Sequence, residues 1–190
     1  MSKTLKIVLI VLGGIVGLGL LGYFVGLPYM MEQTKKASPE QTIAYNQLGL
    51  DLEVFYCRPS KKGRDVFAEE GLVPYGEVWR TGANEATTFE TATNLNIQGE
   101  ILPAGKYTLW TIPGENSWEI IFNEKMYDWG VGWGAKAAVE REHDALVVTA
   151  PAETTGQAVE MFTIEFQEME ELYLALKWDD TRVKIPISGE

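Results

Sequence analysis

From Ile7 to Leu27 the chain runs for 21 residues without a charge, in a stretch rich in Leu, Ile, Val and Gly. At about 1.5 Å of helical rise per residue this length matches the ~30 Å hydrocarbon core of a bilayer. The segment is therefore predicted to be one membrane-spanning helix. A cleaved signal peptide is the alternative, but its apolar region is about 7 to 15 residues and ends in a small-residue cleavage site. The exit here, Gly26-Leu27-Pro28-Tyr29-Met30-Met31-Glu32, has no A-x-A pattern and no cysteine for a lipid anchor, which favours an uncleaved signal anchor. Lys3, Lys6 and the terminal amine precede the span, whereas Glu32, Lys35 and Lys36 follow it. By the positive-inside rule the expected protein is single-pass in the cell membrane. Its N-terminus is cytoplasmic and its C-terminal domain extracytoplasmic, or periplasmic where there are two membranes. Tyr23 and Tyr29 suit an interfacial belt. Gly13-x-x-x-Gly17 and Gly22-x-x-x-Gly26 would allow a weak homodimer through this helix, although glycine is in any case common in membrane helices. The bilayer is thus the first expected partner, through residues 7–27.

Everything past the span is a different material. All 27 acidic residues and 14 of the 16 basic ones lie from Glu32 onward, so that part carries a net charge of −13. Such acidity argues against a nucleic-acid partner, because phosphate contacts need clustered Lys and Arg. Cys57 is the only cysteine, which excludes a disulfide scaffold. No phosphate-binding or dinucleotide glycine motif is present, and no cofactor is expected.

Beyond residue 48 the dominant hydrophobic period is two, in short runs separated by Gly, Pro and Asn. Leu172, Leu174, Leu176 and Trp178 share a face. Val183, Ile185 and Ile187 repeat the pattern after Asp179-Asp180-Thr181, predicting a hairpin. Phe162, Ile164 and Phe166 alternate likewise. Further strands are predicted at Leu50–Tyr56, Phe89–Ile97, Lys106–Ile112 and Trp118–Phe122, with turns at Leu102-Pro103-Ala104-Gly105 and Ile112-Pro113-Gly114. A short helix is expected from Val66 to Glu70, and a helical turn or two around Ala135 to Glu142. The fold class is all-β, an antiparallel, jelly-roll-like β-sandwich preceded by one N-terminal transmembrane helix. The divisions are 1–6 cytoplasmic, 7–27 transmembrane, 28–47 linker and 48–190 sandwich.

Unusual polar residues are densest from Arg58 to Thr88, a long excursion between strands. Arg58, Lys61, Lys62 and Arg64 place four cations within seven residues of an acidic domain, a spot suited to a carboxylate or phosphate, or else a solvated loop paired with the acidic surface. The following run from Val73 to Thr87 offers Arg80, Asn84 and Glu85 to a polar ligand, with Tyr75 or Trp79 as an aromatic wall. The structural alternative is an Arg80–Glu85 pair fixing a buried turn.

The stretch Arg58-Pro59-Ser60-Lys61-Lys62-Gly63-Arg64, the run Pro74-Tyr75-Gly76-x-Val78-Trp79-Arg80-Thr81-Gly82-Ala83-Asn84-Glu85-Ala86-Thr87, then Leu102 to Tyr107, Ile121-Phe122-Asn123 and Trp129-Gly130 resemble the bacterial domain-of-unknown-function 2911 family. The resemblance spans roughly Leu50 to Ile187. It implies a β-rich, commonly exported domain and carries no assigned activity. Cys57 stands where the family pattern has serine, and Gly130 to Glu142 is richer in Gly and Ala than that pattern, so no nucleophile follows from the resemblance.

Enzyme classes are narrow. His143 is the only histidine, so a zinc site would need carboxylates or the lone thiol, and no metal site is expected. A Ser-His-Asp triad lacks its G-x-S-x-G elbow. Glu77, Glu85 or Glu90 would be the candidates for acid and base on a glycan. Trp118 and Trp178 are predicted on core faces, whereas Trp129 and Trp133 lie in a Gly-rich segment suited to stacking platforms, with core packing the competing role for Trp129. The expectation is a binding or interaction module for a small polar or anionic ligand, a glycan fragment or peptide. Its candidate residues are Arg58, Arg64, Tyr75, Trp79, Arg80, Asn84, Glu85, Asn123 and Trp129. The alternative is an envelope-polymer hydrolase using Glu85 with Arg80 and Asn84.

Overall fold

The computed structural model describes residues 2–132, 134 and 136–190, and its chain parts into two compact units between Ala37 and Ser38. The first unit is helical. Helix α1 (Lys3–Leu21) passes through a π turn (Gly22–Gly26) into α2 (Leu27–Ala37). The π turn lies where Pro28 forces it. Proline has no N–H for the carbonyl four residues back and its ring crowds that carbonyl, so the helix widens just before it. The amide of Leu27 reaches back to the carbonyl of Gly22, the five-residue spacing of a π turn. The continuous Lys3–Ala37 helix is long and apolar enough to cross a membrane, and a signal sequence meets the same description.

The expected 28–47 linker is ordered. Helix extends to Ala37, and the first strand already begins at Glu40, so the β domain starts earlier than the hydrophobic period suggests. Its strands are β1 (Glu40–Tyr45), β2 (Leu52–Cys57), β3 (Phe67–Ala68), β4 (Val73–Pro74), β5 (Thr88–Thr91), β6 (Leu95–Ile97), β7 (Glu100–Leu102), β8 (Gly105–Ile112), β9 (Ser117–Asn123), β10 (Asp144–Glu168) and β11 (Leu172–Gly189). Nine of them hydrogen-bond in the order β1-β2-β5-β8-β9-β10-β11-β6-β7, while β3 and β4 form a small parallel pair.

The order becomes a sandwich because β10 serves both layers. Its first part, Asp144 to Pro151, pairs with β9, and the remainder, from Ala152, pairs with β11. Within the β11-paired part the register slips after Thr154, next to Gly156, whose φ is +67°. The layers meet where Tyr56 of β2 gives its hydroxyl to the Ile164 carbonyl of β10 at 3.1 Å and packs edge-on against Phe162. Phe89, Leu109, Ile120 and Phe122 from one layer and Leu174, Val183 and Ile185 from the other are fully buried between them.

Where a hairpin is predicted around Asp179, the chain turns back within β11. Leu172 and Ile187 line one cavity, and the Lys184 ammonium lies 5.5 Å from the Tyr173 ring centre. An extended strand at ~3.3 Å per residue would hold those pairs tens of ångströms apart. The chain therefore doubles back near Asp179, which adopts a φ of +54°.

Two local expectations are corrected. Val66–Glu70 is no helix, because the aromatic cluster claims Phe67, which meets Trp79, Trp118 and Trp178 within 4.7 to 6.0 Å. A helix so short cannot recover its nucleation cost, so tertiary packing decides. The run Phe89–Ile97 is two strands, β5 in one layer and β6 in the other. The turn expected around Ala135–Glu142 is a 3-10 turn over Arg141–His143, and Ala135 lies outside the described residues.

Candidate functional site

The excursion from Arg58 to Thr88 folds onto both layers. Arg58 is spent internally: its Nε donates to the Phe162 carbonyl at 3.0 Å and its Nη2 to Thr163 Oγ1 at 2.9 Å. Arg64 closes its own loop, donating to the carbonyls of Lys61 and Ser60 at 2.9 and 2.8 Å. Lys61 pairs with Asp179, and the Lys62 amide donates to Glu160 at 2.9 Å. The Ser60 hydroxyl also donates to Glu160 and holds its carboxyl below the usual range. Arg58 and Lys61 thus clip the loop to the β10–β11 ribbon, while Arg64 stays within the loop.

Trp79 starts the next piece as a one-residue extension of the sheet, exchanging backbone hydrogen bonds with Thr111 of β8 at 2.7 and 2.9 Å. Thr81 and Asn84 follow, both buried and both with φ of 55°. A β-branched residue in the left-handed region is rare and strained, so the surroundings must fix it. They do so through Thr81 Oγ1, 3.2 Å from Thr111 Oγ1, through the Thr87 hydroxyl on the Thr81 carbonyl at 2.7 Å, and through the Trp79 indole N–H on the Gly82 carbonyl at 2.9 Å. Asn84 donates its amide to the Ser38 carbonyl at 3.2 Å.

Below this loop the Cys57 thiol donates to Glu85 Oε2 at 3.2 Å. Burial, then the hydrogen bond and charge of Glu85, push the thiol up to about 12. At neutral pH it is a protonated donor and no nucleophile. Arg80 is lowered from its ordinary value by burial, against the pull of Cys57 and Glu85, and its Nη1 donates to the Trp129 carbonyl at 3.0 Å. Cys57, Arg80, Glu85 and the half-buried Trp129 therefore stand together. Tyr75 stands elsewhere, raised first by burial and then by Glu115, Asp180 and Glu69. Asn123 is fully buried, donating to the Glu140 carbonyl and Asp144 Oδ1 at 2.9 and 2.8 Å and accepting from the Lys125 amide at 3.0 Å. Glu90 pairs with Lys106 at 3.0 Å. Trp133 lies outside the described residues.

The segment after β9 docks on the same loop. The Ala86 amide donates to the Asp128 carbonyl at 3.0 Å, and Gly130 is pressed between Trp110, Ala86 and Arg80. A narrow return, with Val131 bridged to Ala137 and the Gly132 amide on the Lys136 carbonyl at 2.9 Å, carries the chain back along Glu69 to Trp79. The result is a cleft of about 830 Å³. Leu72, Val78, Trp79 and Val139 supply apolar wall, Glu69 and Glu77 acid, and Lys136 and Arg141 base.

The family model described as a protein of unknown function (DUF2911) matches residues 38–187. The chain belongs to the DUF2911 family. No curated protein and no solved structure matches it. In this DUF2911 domain Trp79, of the ligand-binding candidates, reaches the cleft, and so does Glu77, a candidate acid or base. Trp79 is held in an aromatic cluster, stacked on Trp178 at 5.9 Å and in T-shaped contact with Phe162 and Trp118. Leu72, Lys136, Val139 and Arg141 carry no motif, and only the docking of the 128–138 return brings them to the site.

For a cation, one group among the described residues has suitable atoms. Glu140, Glu142 and His143 place one ligand atom each within 4.8 Å of one another, all exposed. Lys125 already pairs with Glu140 and holds its carboxyl below the usual range.

Proposed function

We propose that the chain is a single-pass membrane protein, anchored through residues 7–27 with its N-terminus cytoplasmic, whose extracytoplasmic DUF2911 domain is a binding module for a short peptide. The observation that carries the reading is the cleft at Trp79, whose apolar wall is flanked by Glu69, Glu77 and Lys136, with Arg141 present but paired with Asp144. Its volume falls within the ~300 to 1,000 Å³ of small-ligand sites. Charges of both signs suit a zwitterionic peptide, whose ammonium and carboxylate need opposite partners. A glycan would seek an exposed aromatic face, and Trp79 is committed to a stack on Trp178 within a cluster with Phe162 and Trp118. The long apolar helix and the lysines before it support the anchoring and its direction.

The hydrolase alternative has less support. Glu85 accepts from Cys57, and the Asn84 amide is committed to Ser38.

The experiment is a calorimetric titration of the full chain in nanodiscs with Ala-Leu-Val-Ala and with its acetylated, amidated form. The free peptide is expected to bind better, and Glu77→Lys and Lys136→Glu are each expected to weaken it roughly threefold to tenfold. Equal binding of free and capped peptide by all three proteins would reject the cleft as the site.

A further inference from the structure

A second cavity, sharing no residue with the Trp79 cleft, lies where the β10–β11 turn meets the ends of β6 and β11. It encloses about 500 Å³, within the range of small-ligand sites. Leu50, Leu172 and Ile187 form its buried apolar floor. Glu170 and Glu171 stand at its exposed edge, and among the described residues none that lines it is Lys, Arg or His.

Two tight turns frame the mouth. One is Gln98-Gly99 between β6 and β7, with φ of 55° and 91°. The other is Leu48-Gly49, with φ of 55° and 77°, closed by the Leu50 amide on the Gln47 carbonyl at 2.9 Å. Positive φ at both central residues is the geometry that Asn-Gly and Gly-Gly satisfy without strain. At the first position of one such turn this chain has leucine, 74% exposed. Leucine there is unfavourable twice over, in the left-handed backbone and in its wetted side chain. A ligand seated at the mouth would cover it.

We infer that this cavity binds an organic cation, an ammonium carried on a compact apolar body. The floor takes the body, Leu48 closes over it, and Glu170 and Glu171 take the charge, with no basic residue in the lining to compete. The inference stands on residues separate from the peptide cleft, so either reading can fail without the other.

The probe is benzylamine, with benzyl alcohol and benzoate as neutral and anionic compounds of similar shape. Each is titrated into the full chain in zwitterionic nanodiscs while the backbone amides are followed by TROSY spectroscopy. Benzylamine is expected to shift the amides of Asn96, Gln98, Gly99 and Glu171 and to bind roughly threefold to tenfold more tightly than benzyl alcohol, with benzoate weakest. That preference is expected to disappear in the Glu170→Gln/Glu171→Gln double variant, while benzyl alcohol binding stays as it was. Leu48→Asn is expected to weaken benzylamine and benzyl alcohol alike, yet keep or raise the melting temperature, because Asn tolerates the left-handed turn. A misfolded variant would lower the melting temperature instead. Absence of cavity shifts, equal affinity for all three probes, or a cation preference that survives the double variant would each overturn the inference. Lys136→Glu, which weakens peptide binding at Trp79, is expected to leave benzylamine binding unchanged.

Discussion

Gly130→Ala tests whether the 128–138 return is docked rigidly on the Trp79–Thr87 loop. A Cβ at Gly130 would lie 2.9 Å from Trp110 Cη2, 3.2 Å from the Ala86 Cβ and 3.4 Å from the Arg80 Cβ. Trp110 is fully buried, so it has little room to yield. The φ of +66° adds the cost of a side chain in the left-handed region, about 1 to 2 kcal/mol. Overpacking a closed site adds about 1 to 3 kcal/mol. The sum of ~2 to 5 kcal/mol corresponds to roughly 5 to 15 °C in the melting temperature of a domain this size. Two neighbouring glycines separate the contributions. Gly134 has a φ of +79° in open space, so Gly134→Ala is expected to cost only the backbone strain, about 1 to 2 kcal/mol. Gly132 has open space and no positive φ, so Gly132→Ala is expected to lie within about 0.5 kcal/mol of the parent. Thermal unfolding of the three variants by near-ultraviolet circular dichroism, which reports the tryptophan packing, gives the ranking. Equal small effects at all three positions would refute the docking, because an undocked return has nothing for the Gly130 methyl to strike.

Cys57→Ser is expected to flatten stability at high pH. The folded thiol titrates near 12 and the unfolded one near 9, so the neutral form stabilises the fold fully below pH 9 and loses that contribution as pH rises toward 12. The wild type is therefore expected to lose up to about 1.4 kcal/mol per pH unit relative to the serine variant, measured by urea unfolding from pH 8 to 11. A parallel pair of curves would remove the buried-thiol account. Native Cys57 is likewise expected to resist a thiol reagent at pH 8 until the domain unfolds, and rapid stoichiometric labelling would contradict its burial. Asn123→Ala strands three polar partners and is expected to cost about 2 to 4 kcal/mol, with faster amide exchange at His143 and Asp144 than in the parent. Carbonate washing is expected to leave the full chain in the membrane pellet and to release a chain lacking residues 1–37, and release of both would defeat the anchor.

The β-layer pattern was legible because its physics is local. The alternation of Leu172 to Trp178 and Val183 to Ile187 follows from a two-sided strand with one buried face, and both runs lie where the period puts them. The turn at Leu102 to Gly105 joins β7 to β8 as its Pro and Gly suggest. Val66–Glu70 misled because Phe67 answers to a tryptophan cluster assembled from distant strands. The 28–47 stretch misled because its polarity conceals an edge strand whose outer face meets water.

At the site, Trp79, Arg80 and Glu85 stood out as unusual residues, and they sit at one junction. The basic loop stood out for the same reason, but its charges satisfy carbonyls and acids of its own fold. Lys136, Val139 and Leu72 gave no signal, since their meeting depends on Gly130 fitting beside Trp110 some twenty residues away in sequence. A contact of that kind is written in shape and not in period.

The central claim, that the cleft beside Trp79 binds a peptide, is tested most directly by TROSY mapping of Ala-Leu-Val-Ala on the full chain. The account predicts that shifts concentrate at Leu72, Val78, Ala137 and Val139 and need roughly threefold to tenfold more peptide to saturate in Lys136→Glu. Shifts gathered instead at Arg58 to Arg64, or scattered without saturation, would contradict it.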